Sequence, residues 1–117
     1  MKRLTIPSML VLAAIAIAAL APAPLASADA DPQVSAKEFS FKLSAKSTGR
    51  PGTVTFNVRN AGSILHDFKI NGKKTSLIAP GKTEKLVIRF KKKGQYRYIC
   101  TVPGHAALGM KGVFTVR

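Results

Sequence analysis

The sequence is poor in cysteine and in acidic residues. Cys100 is the only cysteine, so an internal disulfide is excluded and the fold must be held together by other means. Five acidic residues stand against nineteen lysines and arginines, which gives a formal net charge of +14 in 117 residues. So large an excess of positive charge suggests binding to acidic partners or to an anionic membrane surface.

Several kinds of motif are also missing. The basic residues are accompanied by no recognised nucleic-acid-binding motif and no evident row of stacking aromatics, so nucleic acid is not expected as a partner. The lysines at 73–74 and 91–93 suggest a positive face, although solvation of strand edges and turns accounts for several of them. No internal repeat and no linker divides residues 33–117, and we expect one domain and a monomer.

The first 28 residues have the organisation of a secretory signal peptide. A basic n-region at Met1–Arg3 precedes an apolar stretch from Met9 to Leu20, and Ala26–Ala28 fits the small-x-small rule for cleavage. The alternative is an uncleaved membrane anchor, but prolines bound an apolar run that is too short to span a bilayer comfortably. We therefore predict cleavage after Ala28 and a periplasmic or extracellular protein.

Cleavage would leave a small and strongly basic mature chain. It would have about 89 residues, with 17 basic and 5 acidic side chains and a net charge of +12. We expect residues 29–32 to form a flexible terminus and residues 33–117 to form the domain. A core of this size is marginal, so a metal bound by the folded state would stabilise it. In an oxidising compartment an exposed odd thiol is a liability, whereas a buried metal ligand is not.

Secondary structure is predicted from the alternation of apolar and polar residues with a period of two, the pattern of a strand with one buried face. The alternation covers residues 38–43, 53–59 and 85–91, and no segment of the mature chain shows a long period of 3.6. Glycines, prolines and Asn71 mark turns between these runs. Several short strands with frequent turns predict an all-β protein, an antiparallel Greek-key β-sandwich, with a long loop between Asn71 and Glu84 that holds at most a short helical turn.

The residues with metal-binding chemistry are concentrated in one stretch, Cys100–Met110. It contains the cysteine, His105 and Met110, with four residues between each of these and the next. Two glycines allow the chain to curl around one point. With the second imidazole, from His66, these side chains form a soft donor set that suits copper better than calcium or magnesium, which prefer oxygen. Each residue alone is more often a core or hydrogen-bonding residue, but their collection in one loop indicates a metal site.

The predicted topology explains how His66 reaches this loop. Tyr96, Tyr98 and Cys100 fall on the inward face of the strand that begins after Gly94, so the cysteine lies at the end of that strand. We place His66 near the start of a neighbouring strand, at the same end of the sandwich. Three donors on one short loop and a fourth from a rigid strand would form a preorganised site.

The segment from Gly94 to Val116 resembles the carboxyl-terminal signature of the cupredoxins, the small blue-copper electron carriers. The segment from Asn60 to Phe68 extends the resemblance over most of the chain after residue 33. The four residues between the cysteine and the next histidine are similar to the auracyanin, sulfocyanin and rusticyanin branch, whereas plastocyanin has two. The resemblance implies one type 1 copper ion, with three ligands in a plane and a methionine on the axis: His66, Cys100, His105 and Met110.

The function implied by this resemblance is one-electron transfer between exported redox proteins such as cytochromes, without enzymatic activity. It also implies that His105 lies nearest the surface and that Ala106, Ala107 and Leu108 form a small apolar contact patch, although loop filling explains these three residues equally well. Four protein donors leave no obvious position for a substrate, and the sequence shows no nearby carboxylate–histidine pair suited to acid–base catalysis.

Two alternative functions remain open. A periplasmic copper carrier or buffer, which delivers its metal to an apoenzyme, would use the same donors but would need an accessible and exchangeable ion. A β-sandwich adhesion or assembly module without a metal would require the cluster of cysteine, histidine and methionine to be accidental. Copper addition followed by visible spectroscopy, and copper-transfer assays, distinguish these alternatives.

Asp67 departs from the cupredoxin pattern, in which asparagine often follows the first histidine. A carboxylate at this position would accept hydrogen bonds from backbone donors near Thr101 and would place a negative charge beside the copper, which favours Cu(II). In the other interpretation Asp67 points to solvent and pairs with a lysine, with almost no effect on stability.

Overall fold

The computed structural model describes residues 2–4, 13–16 and 30–117. Of the predicted signal peptide, residues 1–28, only residues 2–4 and 13–16 are described. Within the described ranges, no helix is long and apolar enough to cross a membrane. Their regular structure consists of nine strands: β1 (Gln33–Lys37), β2 (Ser40–Leu43), β3 (Ser47–Thr48), β4 (Gly52–Asn60), β5 (Lys69–Ile70), β6 (Lys73–Lys74), β7 (Thr83–Phe90), β8 (Gly94–Ile99) and β9 (Lys111–Val116).

The strands form two sheets, which confirms the predicted β-sandwich. The four-stranded sheet has the order β2-β1-β4-β7, and the five-stranded sheet has the order β3-β9-β8-β5-β6. Most pairs are antiparallel, but β1 pairs with β4, and β3 with β9, in parallel. β1 and β4 are parallel because the chain does not return directly from β2 to β4. It first crosses to β3 in the five-stranded sheet and then re-enters the four-stranded sheet beside β1.

The core lies between the sheets, where alternate side chains of the facing strands meet. Phe56 of β4 and Phe114 of β9 touch across this space, with ring centroids 5.1 Å apart and an edge-to-face angle of 77°. The predicted alternation is visible in β7, where every second residue from Leu86 onward is buried. The largest fully buried side chains of the core are Phe56, Phe68, Phe90, Phe114, Ile70, Ile78 and Ile88.

The strand predicted over residues 38–43 is interrupted at its start. The chain turns at Glu38 and Phe39, between β1 and β2, and β2 begins only at Ser40. The alternation of the strand therefore does not extend to Glu38. Its carboxylate accepts hydrogen bonds from the backbone N–H groups of Ser63 and Ile64. Tertiary contacts of one side chain therefore override the local pattern.

Packing of the domain begins at Pro32, within the segment that the sequence assigns to a flexible terminus. Pro32 is buried, and its carbonyl accepts a hydrogen bond from the Asn57 N–H at 3.0 Å. The side-chain amide of Gln33 donates to the carbonyl of Asp31 at 3.1 Å. Asp29, the first residue of that segment, lies outside the described residues.

The long loop predicted between Asn71 and Glu84 contains the short strand β6 and an isolated β-bridge at Ile78. No helical turn forms in residues 71–84. Asn71 itself has a φ of 50°, the left-handed conformation that asparagine tolerates in a tight turn, and it connects β5 to β6. The loop matters for the site because Ile78 pairs with His66.

Candidate metal centre

The loop after β8 holds three of the four predicted ligands through its own backbone. The Cys100 N–H donates to the Met110 carbonyl at 3.0 Å, so the two ends of the loop meet. Between them, the Met110 N–H donates to the His105 carbonyl at 3.1 Å. Gly104 and Gly109 have φ values of 83° and 125°, which glycine adopts without strain. The curl predicted from these glycines is present.

The fourth predicted ligand, His66, is positioned by two pairings. Its N–H donates to the Ile78 carbonyl at 3.3 Å, and the Ile78 N–H donates back to the His66 carbonyl at 2.7 Å. Three residues later β5 begins, and Lys69 lies opposite Ile99, the residue directly before Cys100. This register brings His66 and Cys100 to the same end of the sandwich, as predicted.

Three donor atoms converge at this end. The Nδ1 atoms of His66 and His105 are 3.2 Å apart, and Cys100 Sγ lies 4.0 and 3.6 Å from them respectively. The centre of the circle through these atoms is about 2.1 Å from each, which compares with metal bonds of roughly 2.0 Å to imidazole and 2.3 Å to thiolate. The three residues are 0, 1 and 7 % exposed for His66, Cys100 and His105. The donor set is therefore already assembled and shielded from water.

Met110 is enclosed with the cysteine. It is fully buried and packs against Cys100 and Ala36, with Phe39 and Val102 at the margin of this small cluster. The thioether thus shares the enclosed space in which the axial donor is predicted.

Glu38 is a site residue that the sequence analysis missed. Its Oε1 lies 3.0 Å from Nε2 of His66 and also accepts the Ser63 and Ile64 N–H groups at 2.8 and 3.0 Å. An ionised carboxylate only accepts hydrogen bonds, so Nε2 of His66 is the donor to Glu38, and Nδ1 is the ring nitrogen that faces Cys100. The sequence offered one signal for Glu38, the scarcity of acidic residues, since the chain has only five of them.

The Glu38 carboxylate is charged at neutral pH. Hydrogen bonds, above all from the Ser63 N–H, lower the pKa of Glu38 from 4.5 to about 2, and the bond from His66 adds to this shift. A carboxylate–histidine pair that the sequence did not reveal therefore lies at the site. Because Nε2 is the nitrogen that faces Glu38, the pair orients a metal ligand in the manner of a carboxylate–histidine–metal arrangement.

Asp67 connects the two segments that carry the ligands. It is buried, its Oδ1 accepts the Thr101 N–H at 2.6 Å, and its Oδ2 accepts the Thr101 hydroxyl. The interpretation that Asp67 bonds to backbone donors near Thr101 is confirmed, and the interpretation that it points to solvent is wrong. Since Asp67 follows His66 and Thr101 follows Cys100, these bonds fix the spacing of the two ligands.

The environment of the thiol suits a ligand better than a free nucleophile. Burial raises the pKa of the Cys100 thiol, hydrogen bonds from the backbone of Asp67 and Val102 offset part of this rise, and the negative charge of Asp67 adds a smaller rise. A buried thiol of this kind is inert unless a cation deprotonates it, and a coordinated metal ion does so.

Asn60 holds the loop that leads to His66. It is fully buried, and its Nδ2 donates to the carbonyls of Ile64 and Ile78, both at 2.7 Å. Its Oδ1 accepts the Gly62 N–H at 2.8 Å. From the sequence, Asn60 was only the first residue of the cupredoxin-like segment. Its role depends on contacts that the sequence does not reveal.

Comparison with known families decides the class of this protein. Residues 33–117 match the family of copper binding proteins described as the plastocyanin/azurin family. This chain belongs to that family. The match spans the whole sandwich, so the cupredoxin resemblance is confirmed and copper is the cofactor. A metal-free adhesion module loses its support.

Solved structures of the same fold include two auracyanins. One, from the photosynthetic bacterium Roseiflexus castenholzii, is 20% identical with a TM-score of 0.65, over 73% of this cupredoxin and 94% of that chain. Auracyanin A, a "blue" copper protein from Chloroflexus aurantiacus, is 20% identical with a TM-score of 0.62, over 73% of this chain and 96% of that chain. A copper nitrite reductase from Nitrosomonas europaea is 20% identical with a TM-score of 0.57, over 72% of this chain and 40% of that chain. These likenesses show the fold alone. Curated protein sequences give no match.

Proposed function

We propose that this cupredoxin carries single electrons between redox proteins. Two imidazole nitrogens and a cysteine sulfur converge on one buried point, and this is the observation that carries the proposal, because it is the donor set of a blue-copper centre. His66, Cys100 and His105 would hold the ion, with Met110, from the same buried cluster as Cys100, as a fourth donor. When bound, copper supplies a one-electron couple between Cu(II) and Cu(I).

The residues around the donors restrain them from rearranging. Glu38 orients the His66 ring, and Asp67 ties the segment of His66 to that of Cys100. The Phe39 ring packs edge-on against His105, with centroids 5.0 Å apart. Donors fixed in this way change little in geometry when the oxidation state changes, and little reorganisation is what rapid electron transfer requires.

The proposal includes export, a monomeric state and the absence of enzymatic activity. The four proposed donors are at most 7 % exposed, which leaves a substrate little access to them. His105 is the most exposed donor, and Leu108, three residues later, is 63 % exposed. We assign Ala106–Leu108 to contact with partner proteins such as cytochromes, in the periplasm or outside the cell.

Copper retention distinguishes this function from that of a copper carrier. The copper-loaded protein would be reduced and reoxidised repeatedly in a solution that contains bathocuproine disulfonate, a chelator that competes for Cu(I). We expect the visible band to return fully in each cycle, because the donors are buried. Loss of the band within a few cycles would favour copper delivery and would contradict the proposal.

Met110 should be dispensable for colour and important for the reduction potential, because a long axial bond perturbs the centre without creating it. Met110→Gln is expected to lower the potential, since an oxygen donor favours Cu(II), and Met110→Leu to raise it. Voltammetry of the wild type and both variants measures the shifts, with the visible spectrum as the check on the site. Equal potentials in the three proteins would show that Met110 is not the axial ligand.

A further inference from the structure

The outer face of the five-stranded sheet carries basic residues beside the metal centre. Lys74 lies opposite Lys69, Lys69 lies opposite Ile99, and Ile99 lies opposite Lys111. Arg97 is two residues before Ile99 and shares its face of β8, since side chains alternate along a strand. All four basic residues are exposed. We name this set the basic row: Lys69, Lys74, Arg97 and Lys111.

No described acidic residue neutralises the basic row. Glu38 and Asp67 are bonded at the metal centre, the Glu84 carboxylate accepts hydrogen bonds from the Ser76 N–H and hydroxyl, and Asp31 precedes β1. Across residues 2–4, 13–16 and 30–117, no lysine or arginine lies within 4.0 Å of a carboxylate oxygen. The row therefore presents an uncompensated positive charge to solvent.

Protection of sheet edges explains only part of the basic row. A lysine on an edge strand blocks aggregation, and β6 is an edge, so Lys74 has that explanation. Lys69 is paired on both sides, with Lys74 and with Ile99, and Arg97 lies on β8 between β5 and β9. Lys111 begins β9, and β3 pairs with that strand only at Thr115 and Val116, so the edge there is open. The direct pairing of Lys69 with Lys74 also costs stability, because like charges repel at opposed positions. A binding role accounts for both features.

The basic row lies at the metal end of the sandwich. Ile99 immediately precedes Cys100, and Lys111 immediately follows Met110. The lysines at 91–93 precede Gly94, at the other end of β8. At about 3.3 Å per residue the two ends of this strand are roughly 17 Å apart. A partner bound at the row would lie beside the metal centre, whereas a partner at 91–93 would not.

An apolar hollow adjoins the basic row at Lys74. The residues that line it include Leu65, Leu77 and Val102, with Lys74 and the buried Asp67, whose carboxylate is bonded to Thr101. Leu65 and Leu77 are 46 and 55 % exposed. An apolar centre with a charged margin is the common anatomy of a protein interface. Val102 is two residues from Cys100, so this contact is also close to the centre.

We propose that the basic row and the apolar hollow form the docking surface for an acidic redox protein. The inference rests on the proposed electron transfer and names the place and charge of the partner. The row attracts the acidic surface, and the hollow supplies a desolvated contact in addition to the one assigned to Ala106–Leu108. One electron then passes from the reduced to the oxidised member of the pair, and no covalent bond is made or broken.

Stopped-flow kinetics with an acidic c-type cytochrome tests the docking surface. The row variant, Lys69→Gln/Lys74→Gln/Lys111→Gln, is compared with a matched control, Lys91→Gln/Lys92→Gln/Lys93→Gln, which removes the same charge at the far end. The salt range 0.01 to 0.1 M shortens the Debye length from about 30 to about 10 Å. We expect the row variant to lose about tenfold in bimolecular rate at low salt and the control less than about twofold.

Each outcome bears on the proposal, provided that the visible spectra of both variants match the wild type. A larger loss in the row variant, with a flatter salt dependence, supports it. Equal losses would show that only net charge steers the encounter, and an unchanged row variant would show that docking occurs elsewhere. Both results overturn the docking surface. Failure of electron transfer itself is distinguishable, because the wild type would then fail to cycle in the chelator experiment.

Vesicle binding tests whether the basic row binds an anionic membrane instead of an acidic protein. Sedimentation with vesicles of equal parts phosphatidylcholine and phosphatidylglycerol would be measured for the wild type, the row variant and the control. We expect similar, weak binding by the two variants. Strong binding by the wild type that only the row variant loses, with an unchanged cytochrome rate, would assign the row to a membrane and overturn the proposal.

Discussion

Serine in place of Cys100 is expected to abolish the intense visible absorption and the narrow copper hyperfine splitting of the copper-loaded protein. Both properties arise from the covalent bond between thiolate sulfur and copper, which a hydroxyl does not provide. Absorption and electron paramagnetic resonance spectra, recorded after one equivalent of Cu(II) is added to wild type and Cys100→Ser, measure the effect. The two imidazoles can still bind Cu(II) in the variant, but without the colour.

Met110→Leu is the matched control for the loss of sulfur. It removes the other sulfur from the same buried cluster, and we expect it to keep the colour. Circular dichroism of each variant shows whether the sandwich is retained. A colourless wild type with stoichiometric Cu(II), or a blue Cys100→Ser, would contradict the assignment of the site.

The parts of this protein that could be predicted from sequence are those set by local pattern. The run of β7 alternates between apolar and polar residues except at the exposed Val87, so a period of two was enough to predict this strand. Three candidate donors lie within one loop, so spacing and two glycines were sufficient to bring Cys100, His105 and Met110 to one place. His66 could be added because it lies next to a strand that pairs with β8, and a strand pair ends at the same edge.

The parts that could not be predicted depend on long-range register. Glu38 meets His66 across 28 residues, and its position in an alternating stretch indicated a strand where the chain turns. The parallel pairing of β1 with β4 follows from a crossing between sheets, which no local pattern encodes. The basic row is spread over four strands, so only the pairing register reveals it, whereas the consecutive lysines at 91–93 attract attention at the wrong end.

Glu38 is expected to lower the reduction potential of the centre, and Glu38→Gln isolates the effect of its charge. The amide oxygen of glutamine can accept the same hydrogen bonds from Ser63 and His66 that Oε1 accepts now. The negative charge, which stabilises Cu(II) over Cu(I), is removed. We expect retained colour and a positive shift on the order of 60 mV, a tenfold change for a one-electron couple. Voltammetry at neutral pH measures it.

Glu38→Ala removes the acceptor as well as the charge. The Nε2–H of the buried His66 loses its partner, and the ring loses the contact that aims Nδ1 at the other donors. Loss of such an orienting carboxylate typically weakens metal binding by roughly 10–100-fold. Competition with a copper chelator measures the affinity. We expect Glu38→Ala to bind copper that much more weakly than Glu38→Gln.

Glu84→Gln is the control that separates orientation from charge at a distance. Glu84 also accepts a backbone hydrogen bond, from the Ser76 N–H at 3.3 Å, but it has no contact with the proposed ligands. We expect its substitution to leave the affinity and the potential unchanged. Equal potential shifts in Glu38→Gln and Glu84→Gln would mean that net charge sets the potential. Wild-type affinity in Glu38→Ala would mean that the backbone pairing with Ile78 alone orients His66, and Glu38 would then have no positioning role.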